Sequence, residues 1–154
     1  MMNVRLAESD ADLERISAVL LELRSTFNRE TLIAQIKRQS ESGYKVAYVE
    51  SDGQVVCVAG FVIGTKLSWG KHVYVDDLVT AERHRSKGAG ALMISWLKAH
   101  ARSLGCNQLH LDSGVQRFAA HRFYLRERFD IGSHHFSIMD LRAMEVADGR
   151  GASA

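Results

Sequence analysis

The sequence predicts one α/β (α+β) domain, a mixed and mostly antiparallel sheet of about 6–7 strands flanked by about four helices. Three strand-like runs follow one another through short turns in the middle of the chain, which is typical of an antiparallel meander. A strand, a glycine-containing turn, a helix and another strand come next. With 154 residues, 46% hydrophobic and 25% charged, the chain fits one globular domain. We expect this domain to occupy residues 1–147, with residues 148–154 forming a frayed tail.

The N-terminal third predicts a short strand and two helices. The strand covers residues 4–6. Ser9 followed three residues later by Asp12 forms a capping-box pattern, and the apolar residues from Leu13 to Leu23 recur at helical spacing. Asn28 can cap a second helix that ends near Gly43.

The meander consists of residues 45–50, 54–63 and 71–80. Residues 51–53 (Ser-Asp-Gly) are a hairpin signal between the first two runs. The second run is apolar on both faces, as a central strand should be. Within it, Gly60 indicates a bulge or a close backbone approach.

After the meander the apolar period becomes helical from Gly88, and Gly105 stands where a glycine ends a helix. Residues 108–112 form the next strand, which should run parallel to residues 71–80 because a helix connects the two. A further helix is predicted at residues 117–127. Two last strands, at residues 129–131 and 134–141, should complete the sheet.

The turn that precedes the long helix has the properties of an anion site. It is basic and glycine-containing, and reads Arg85-Ser86-Lys87-Gly88-Ala89-Gly90. Backbone N–H groups at a helix start lack helical partners, and the helix dipole adds positive charge there. The sequence therefore predicts a phosphate-binding turn.

Two nucleotide motifs do not fit this region. A dinucleotide fingerprint needs a third glycine, where the chain has Met93. The nearest candidate for a nucleoside-triphosphate loop runs from Gly64 to Lys71, with one residue too many between its glycines and His72 in place of a hydroxyl residue.

A second pattern lies in the helix at residues 117–127. Ala120, Phe123, Tyr124 and Phe129 stand at spacings that, together with Arg85-x-x-Gly88-x-Gly90, resemble the GCN5-related N-acetyltransferase (GNAT) superfamily. Two positions depart from that family, because Arg128 replaces the usual glycine and Arg117 stands where asparagine is frequent.

The resemblance implies acetyl-CoA as a co-substrate. In the family fold the fourth and fifth strands splay apart, and the pantetheine arm bonds to the open strand edge. Here that implies main-chain contacts from Leu78, Val79 and Thr80, and a pyrophosphate held between Arg85 and Ala91. The full cofactor-binding set implied is Leu78, Val79, Thr80, Arg85, Ser86, Lys87, Gly88, Ala89, Gly90, Ala91, Arg117, Ala120 and Tyr124.

The resemblance also implies catalytic roles. Tyr124 would donate a proton to the departing CoA thiolate, with packing or pantetheine binding as the alternative role. The N–H of Val79 would stabilise the oxyanion. Asp77 is the predicted proton acceptor, and Asp76 is the other candidate. Strand alternation predicts that these two carboxylates lie on opposite faces, so that at most one faces a given pocket.

Composition and the remaining motifs limit the other classes of function. A net charge of +2 and locally clustered basic residues argue against a nucleic-acid-binding protein. No apolar run is long enough to span a membrane, and the N-terminus lacks the apolar core of a signal peptide. Cys57 and Cys106 are predicted to be free thiols, so we expect a cytoplasmic protein. No metal is expected, because His134 and His135 on one strand point to opposite faces.

The predicted function is therefore direct transfer of acetyl from acetyl-CoA to a primary amine, in a ternary complex and without a covalent intermediate. The predicted acceptor is a small molecule, while protein N-termini and lysines stay open. A non-catalytic acyl-CoA sensor on the same fold is the rival from another class. Pairing of two copies through the last strand is also left open.

Overall fold

The computed structural model describes residues 1–143, which form one five-stranded sheet with helices on both faces. The elements, in chain order, are β1 (Met2–Leu6), α1 (Asp10–Leu23), α2 (Arg29–Ser40), β2 (Lys45–Ser51), β3 (Gln54–Lys66), β4 (Gly70–Thr80), a 3₁₀ turn (Glu82–His84), α3 (Ala89–Ser103), β5 (Gln108–Leu111) and α4 (Phe118–Arg126). The strand order is β1-β2-β3-β4-β5. The strands from β1 to β4 pair antiparallel and β5 pairs parallel to β4, which confirms the predicted meander and the parallel unit.

The first two helices begin at the predicted caps. The Ser9 side chain accepts the N–H of Asp12, and the Asp12 carboxylate accepts the N–H of Ser9. Asn28 forms the same reciprocal pair with Thr31, a hydroxyl residue where a carboxylate or amide is usual. Because neither arrangement needs contacts from elsewhere in the chain, both helix starts can be predicted from the local sequence.

The core consists of two hydrophobic clusters, one on each face of the sheet. The first packs α3 against the strands through residues such as Phe61, Val75 and Met93. The second packs α1 and α2 against the opposite face through residues such as Ile16 and Val79. Two layers of helices on a central sheet bury both faces of β3, as its uninterrupted apolar sequence predicts.

The sheet has fewer strands than the sequence predicts, because its last two predicted strands are not formed. Residues 129–140 are irregular, and residues 141–143 begin a helical turn capped by the Asp140 side chain. A strand is stable only when its backbone groups find partners in a ladder, and among residues 1–143 this segment pairs with none of the five strands. The predicted domain end and the tail beyond it lie outside the described residues.

Candidate active site

The site is built on a fork between β4 and β5. The two strands pair from His72–Gln108 to Val75–Leu111, where β5 ends. Strand β4 continues to Thr80 without a partner on the β5 side, while its other side stays paired with β3. The β4 edge at Leu78–Thr80 therefore has no strand partner on the β5 side within residues 1–143, as the resemblance implies.

A bulge in β4 lies at the vertex of the fork. Gly60 of β3 pairs with Asp77, but the next residue, Phe61, pairs with Val75, so Asp76 is the extra residue. Val75 packs in the cluster under α3, whereas Val79 packs in the cluster under α1. Strict alternation would put both valines on one face. The prediction that Asp76 and Asp77 face opposite sides is therefore wrong: the bulge turns both carboxylates toward the α1–α2 face.

Asp77 is held there by two side chains. Arg24, which follows α1, donates from Nε to Asp77 Oδ1 at 2.7 Å. The hydroxyl of buried Tyr44 donates to Asp77 Oδ2 at 2.6 Å. Burial and the charge of Asp77 raise the pKa of Tyr44 strongly, so this hydroxyl keeps its proton. The sequence does not reveal Arg24 and Tyr44 as the partners of Asp77, because both are distant from Asp77 in the chain.

Gly60 makes that contact possible. The phenol of Tyr44 crosses β3 directly over Gly60, and a Cβ built on Gly60 would lie 1.6 Å from the Tyr44 oxygen. The sequence predicts a bulge or a close backbone approach at Gly60. The structure has the bulge, in β4 opposite Gly60, and the close approach is made by the side chain of Tyr44. Beside this network, burial and the neighbouring charge of Asp77 raise the pKa of Asp76, while Arg24 lowers it.

The glycine turn begins where the free edge of β4 ends. Gly88 has φ of +88° and caps α3, and Ser86 is also left-handed with φ of +63°. The hydrogen bonds of α3 begin with the N–H of Leu92 donating to the Gly88 carbonyl at 3.0 Å. The N–H groups of residues 89–91 therefore lack helical acceptors. Arg85 and Lys87 are exposed and make no ion pair with the described residues.

Gly90 has a packing role that the motif did not reveal. A Cβ on Gly90 would lie 3.2 Å from the ring of Phe123 and 3.6 Å from Oγ1 of Thr80. The absence of a side chain lets α3 approach both α4 and the end of β4. The turn and α4 are thus in direct contact, which brings the two sequence motifs together.

Tyr124 lies on α4, half-buried beside Phe123 and Phe129. Burial raises the pKa of its hydroxyl, and Arg117, the residue that precedes α4, acts in the opposite direction. Arg117 itself is exposed, and Ala120 is half-buried.

The end of α4 fixes the position of Tyr124. The N–H of Phe129 donates to the Tyr124 carbonyl at 3.0 Å, and the N–H of Arg128 donates to the Leu125 carbonyl at 3.1 Å. These bonds form a Schellman motif, in which the residue at the position of Arg128 must be left-handed. Arg128 has φ of +74°, so an arginine occupies a conformation that favours glycine.

Three histidines near the end of β5 contact other groups of the protein. Nε2 of His121 lies 2.7 Å from the carbonyl oxygen of Gly114, and His110 stacks on Trp69. Nδ1 of His135 lies 3.1 Å from Oδ2 of Asp112, a carboxylate that also accepts the hydroxyl of Tyr74. Within residues 1–143, no three His, Cys, Asp or Glu side chains are grouped as a metal site requires.

Comparison with known proteins identifies the family of the chain. Residues 12–129 match the family model described as "Acetyltransferase (GNAT) family". The chain belongs to the acetyltransferase (GNAT) family. It is 30% identical to the uncharacterized N-acetyltransferase YhdJ of Bacillus subtilis (strain 168) over 88% of this chain and 97% of that protein. It is also 30% identical to the aminoalkylphosphonate N-acetyltransferase of Salmonella typhimurium, over 41% of each protein.

Solved structures share the GNAT fold at low sequence identity. The aminoglycoside N-acetyltransferase AAC(6')-Iy in complex with CoA aligns with a TM-score of 0.79 at 14% identity, covering 91% of this chain and 95% of that one. Family membership and these relatives support an acetyltransferase activity. None of the helices described in residues 1–143 is long and apolar enough to span a membrane.

Proposed function

We propose that this protein moves an acetyl group from acetyl-CoA directly to a primary amine, with both substrates bound at once. The observation that carries the proposal is the free β4 edge at Leu78–Thr80. One end of this edge leads to the unpaired N–H groups of the glycine turn, and the other leads to the carboxylates at the bulge. Donor and acceptor would therefore meet at the vertex of the fork.

From the glycine turn to the bulge, the protein offers a suitable group for each part of acetyl-CoA in turn. The pyrophosphate would lie at the turn, where free N–H groups, the α3 dipole and the side chains of Arg85 and Lys87 favour negative charge. The pantetheine amides would bond to the main chain of Leu78–Thr80, as an added strand does. The thioester would then reach the bulge. The predicted oxyanion donor, the N–H of Val79, points to β3, because Val79 pairs with Val58 and strand hydrogen bonds alternate from that of Ala81 N–H to the Val56 carbonyl. The N–H of Leu78, on the free side of β4, is therefore the proposed oxyanion donor.

The chemistry needs one group that gives a proton and one that takes a proton. An alkylammonium titrates near ~10.4, so it must lose a proton before its nitrogen attacks the thioester. A CoA thiolate leaves more readily when a donor protonates it. Tyr124 is the proposed donor, and its raised pKa keeps the hydroxyl protonated at neutral pH.

Asp77 and Asp76 are the proposed groups on the amine side. Both oxygens of Asp77 already accept hydrogen bonds, so this carboxylate is fixed in place and can hold a charged amine. A carboxylate oxygen has two lone pairs, which leaves room for a further donor. Asp76 is the alternative proton acceptor, because its raised pKa makes it a stronger base than an ordinary aspartate.

The proposed acceptor class is a small molecule. The support comes from relatives, since the Salmonella enzyme is named for aminoalkylphosphonates and AAC(6')-Iy for aminoglycosides. Fold alone does not fix the acceptor. For that reason the test includes peptides that carry free N-termini or lysines.

The proposal is tested by measuring acetyl-CoA binding calorimetrically and thiol release against a panel of small amines and peptides. In the Tyr124→Phe variant, kcat should fall about tenfold or more while acetyl-CoA affinity stays within about twofold. An unchanged kcat, when chemistry limits the rate, would remove Tyr124 as the acid. Tight acetyl-CoA binding without thiol release across the whole panel would identify a sensor instead of an enzyme.

A further inference from the structure

The Ser113 hydroxyl is a buried polar group without a partner. Ser113 is the second residue after β5, and its Oγ atom is closed off from solvent but forms no hydrogen bond with any described residue. Within residues 1–143 it is the only buried side-chain nitrogen or oxygen in this condition. Such groups are uncommon in proteins, because an unmade hydrogen bond leaves the cost of removing the group from water uncompensated. A bound molecule is one source of the missing partner.

Ser113 lies on the face of the sheet that packs against α3. The side chains of Leu109 and Leu111 pack in the hydrophobic cluster under α3. Asp112 points to the opposite face, where its carboxylate accepts the hydroxyl of Tyr74, whose two neighbours in β4 pack under α3. Because this alternation continues through Asp112, the next side chain, that of Ser113, returns to the α3 face. It borders a cavity of about 820 Å³ there.

The pairing of β4 with β5 puts Ser113 level with Leu78. The last pair of the two strands joins Val75 to Leu111. Ser113 lies two residues beyond this pair and Leu78 lies three beyond it, and the bulge at Asp76 takes up the extra residue of β4. Ser113 and Leu78 therefore face each other across the open part of the fork.

Both sides of the fork offer a hydrogen-bond donor at this level. The N–H of Leu78 points into the gap, because the hydrogen bonds to β3 come from alternate residues of the chain, such as Ala81. The Ser113 hydroxyl lies on the other side of the gap. Tyr124, the proposed acid, lines the same cavity as Ser113. Neutral donors on two sides of a gap are what an oxygen atom that gains negative charge requires.

We infer that the Ser113 hydroxyl donates a hydrogen bond to the thioester carbonyl oxygen of acetyl-CoA, as the second donor of the oxyanion site beside the N–H of Leu78. This inference rests on the proposed function, because it takes the acyl end of the donor to lie in the fork. A carbonyl oxygen has two lone pairs and can accept both hydrogen bonds. The missing partner of the buried hydroxyl is then the substrate itself.

The two hydrogen bonds strengthen during the reaction. When the amine nitrogen attacks the thioester carbon, the π electrons of the C=O bond move to the oxygen, and the oxyanion accepts both donors more strongly. When the C–S bond breaks, these electrons form the C=O bond again. The thiolate takes its proton from Tyr124, and the carboxylates at the bulge take the proton of the amine. Ser113 keeps its own proton throughout and only stabilises charge.

Ser113 also distinguishes the donor from the product. CoA has a thiol in place of the thioester, so it offers no carbonyl oxygen at this level of the fork. The hydroxyl therefore contributes to the binding of acetyl-CoA and not to the binding of CoA. This difference favours release of the product after transfer.

Calorimetric titration with acetyl-CoA and with CoA tests this role. Ser113→Ala should weaken acetyl-CoA binding about fivefold, while CoA affinity should stay within about twofold of the parent. Ser133→Ala is the matched control, because it removes an exposed serine hydroxyl from the outer wall of the same cavity. The control should leave both affinities unchanged.

The other outcomes of the titration contradict the inference. Equal losses for acetyl-CoA and CoA would assign the hydroxyl to the pantetheine arm, and no loss for either would leave the hydroxyl without a role in binding. A parent chain that binds neither ligand overturns the inference together with the proposed function. A parent that binds acetyl-CoA but releases no thiol with any amine overturns the proposed function alone, because the titration still decides the role of Ser113.

The stability and the rate of the same variant provide two further measurements. Because the Ser113 hydroxyl has no partner among the described residues, ligand-free Ser113→Ala should melt at the temperature of the parent or higher. A lower melting temperature would show that the protein itself satisfies the hydroxyl and would overturn the inference. With saturating acetyl-CoA, kcat should fall about tenfold or more, since the hydrogen bond strengthens as charge develops on the oxygen. An unchanged kcat, when chemistry limits the rate, would exclude Ser113 from the oxyanion site.

Discussion

The two arms of the fork are held in different ways. The β4 arm is bonded to β3 along its whole length, and Val73, Val75 and Val79 are buried between helices on both faces. The β5 arm is a short strand followed by α4, which has no fully buried residue. Its position depends on local devices, such as the Phe123–Gly90 contact and the bond from Lys98 Nζ to the Glu127 carbonyl. The proposed oxyanion donor therefore lies on the arm fixed by the core, and the proposed acid lies on the arm fixed by local contacts.

The largest change in the free energy of unfolding is expected from a substitution that disturbs the packing of the β4 arm. Gly60→Ala places a Cβ where the Tyr44 oxygen lies, so Tyr44 must leave Asp77 and its buried site. The free energy of unfolding should fall by about 3 kcal/mol. Chemical denaturation measures this loss.

The matched control is Gly132→Ala on the segment after α4, where an added Cβ meets no atom within 4 Å. That variant should stay within about 0.5 kcal/mol of the parent. Equal losses in the two variants would show that the arms do not differ in packing as described.

A smaller effect of opposite sign is expected at the end of α4. Arg128→Gly removes the cost of a left-handed arginine and should raise the free energy of unfolding by about 1 kcal/mol. Thermal and chemical denaturation both measure this gain.

The end of α3 allows the reverse substitution to be made as a control. Gly105 has φ of +78° and forms the same pair of bonds, from Cys106 N–H to the Ala101 carbonyl and from its own N–H to the Arg102 carbonyl. Gly105→Arg should therefore lose about what Arg128→Gly gains. A loss of stability in Arg128→Gly would mean that the arginine side chain contributes more than its backbone costs.

The smallest expected effect depends on pH and concerns Asp76. Its folded pKa is raised, so its contribution to stability is complete below the ordinary Asp pKa of ~3.9 and is lost as pH rises through the folded pKa. Asp76→Asn removes that loss. The variant should be more stable than the parent near neutral pH, by no more than about 0.5 kcal/mol because the side chain is exposed, with the gain vanishing below about pH 4. Denaturation at several pH values tests this, and a gain that grows toward acid would contradict the sign.

What the sequence predicted correctly is local. The capping boxes, the meander, the parallel pairing of β4 with β5 and the end of α3 at Gly105 depend on neighbouring residues or on a short connection. The bulge at Asp76 and the reach of Tyr44 over Gly60 depend on three strands meeting in register, which no single stretch of the chain encodes. The strand predicted at residues 134–141 is wrong for a similar reason: its pattern is strand-like, but pairing also depends on where the preceding chain places the segment relative to the sheet. The catalytic and cofactor-binding roles stay predictions.

The bulge at Asp76 also determines the face of the sheet on which each later side chain of β4 lies. Every side chain after it lies on the face opposite to the one that unbroken alternation would assign. Deletion of Asp76 would therefore remove the bulge and restore regular alternation after Val75, with Asp77 still on the α1–α2 face and Leu78 still on the α3 face. The extra residue thus gives β4 a second carboxylate on the α1–α2 face without moving any later side chain to the other face.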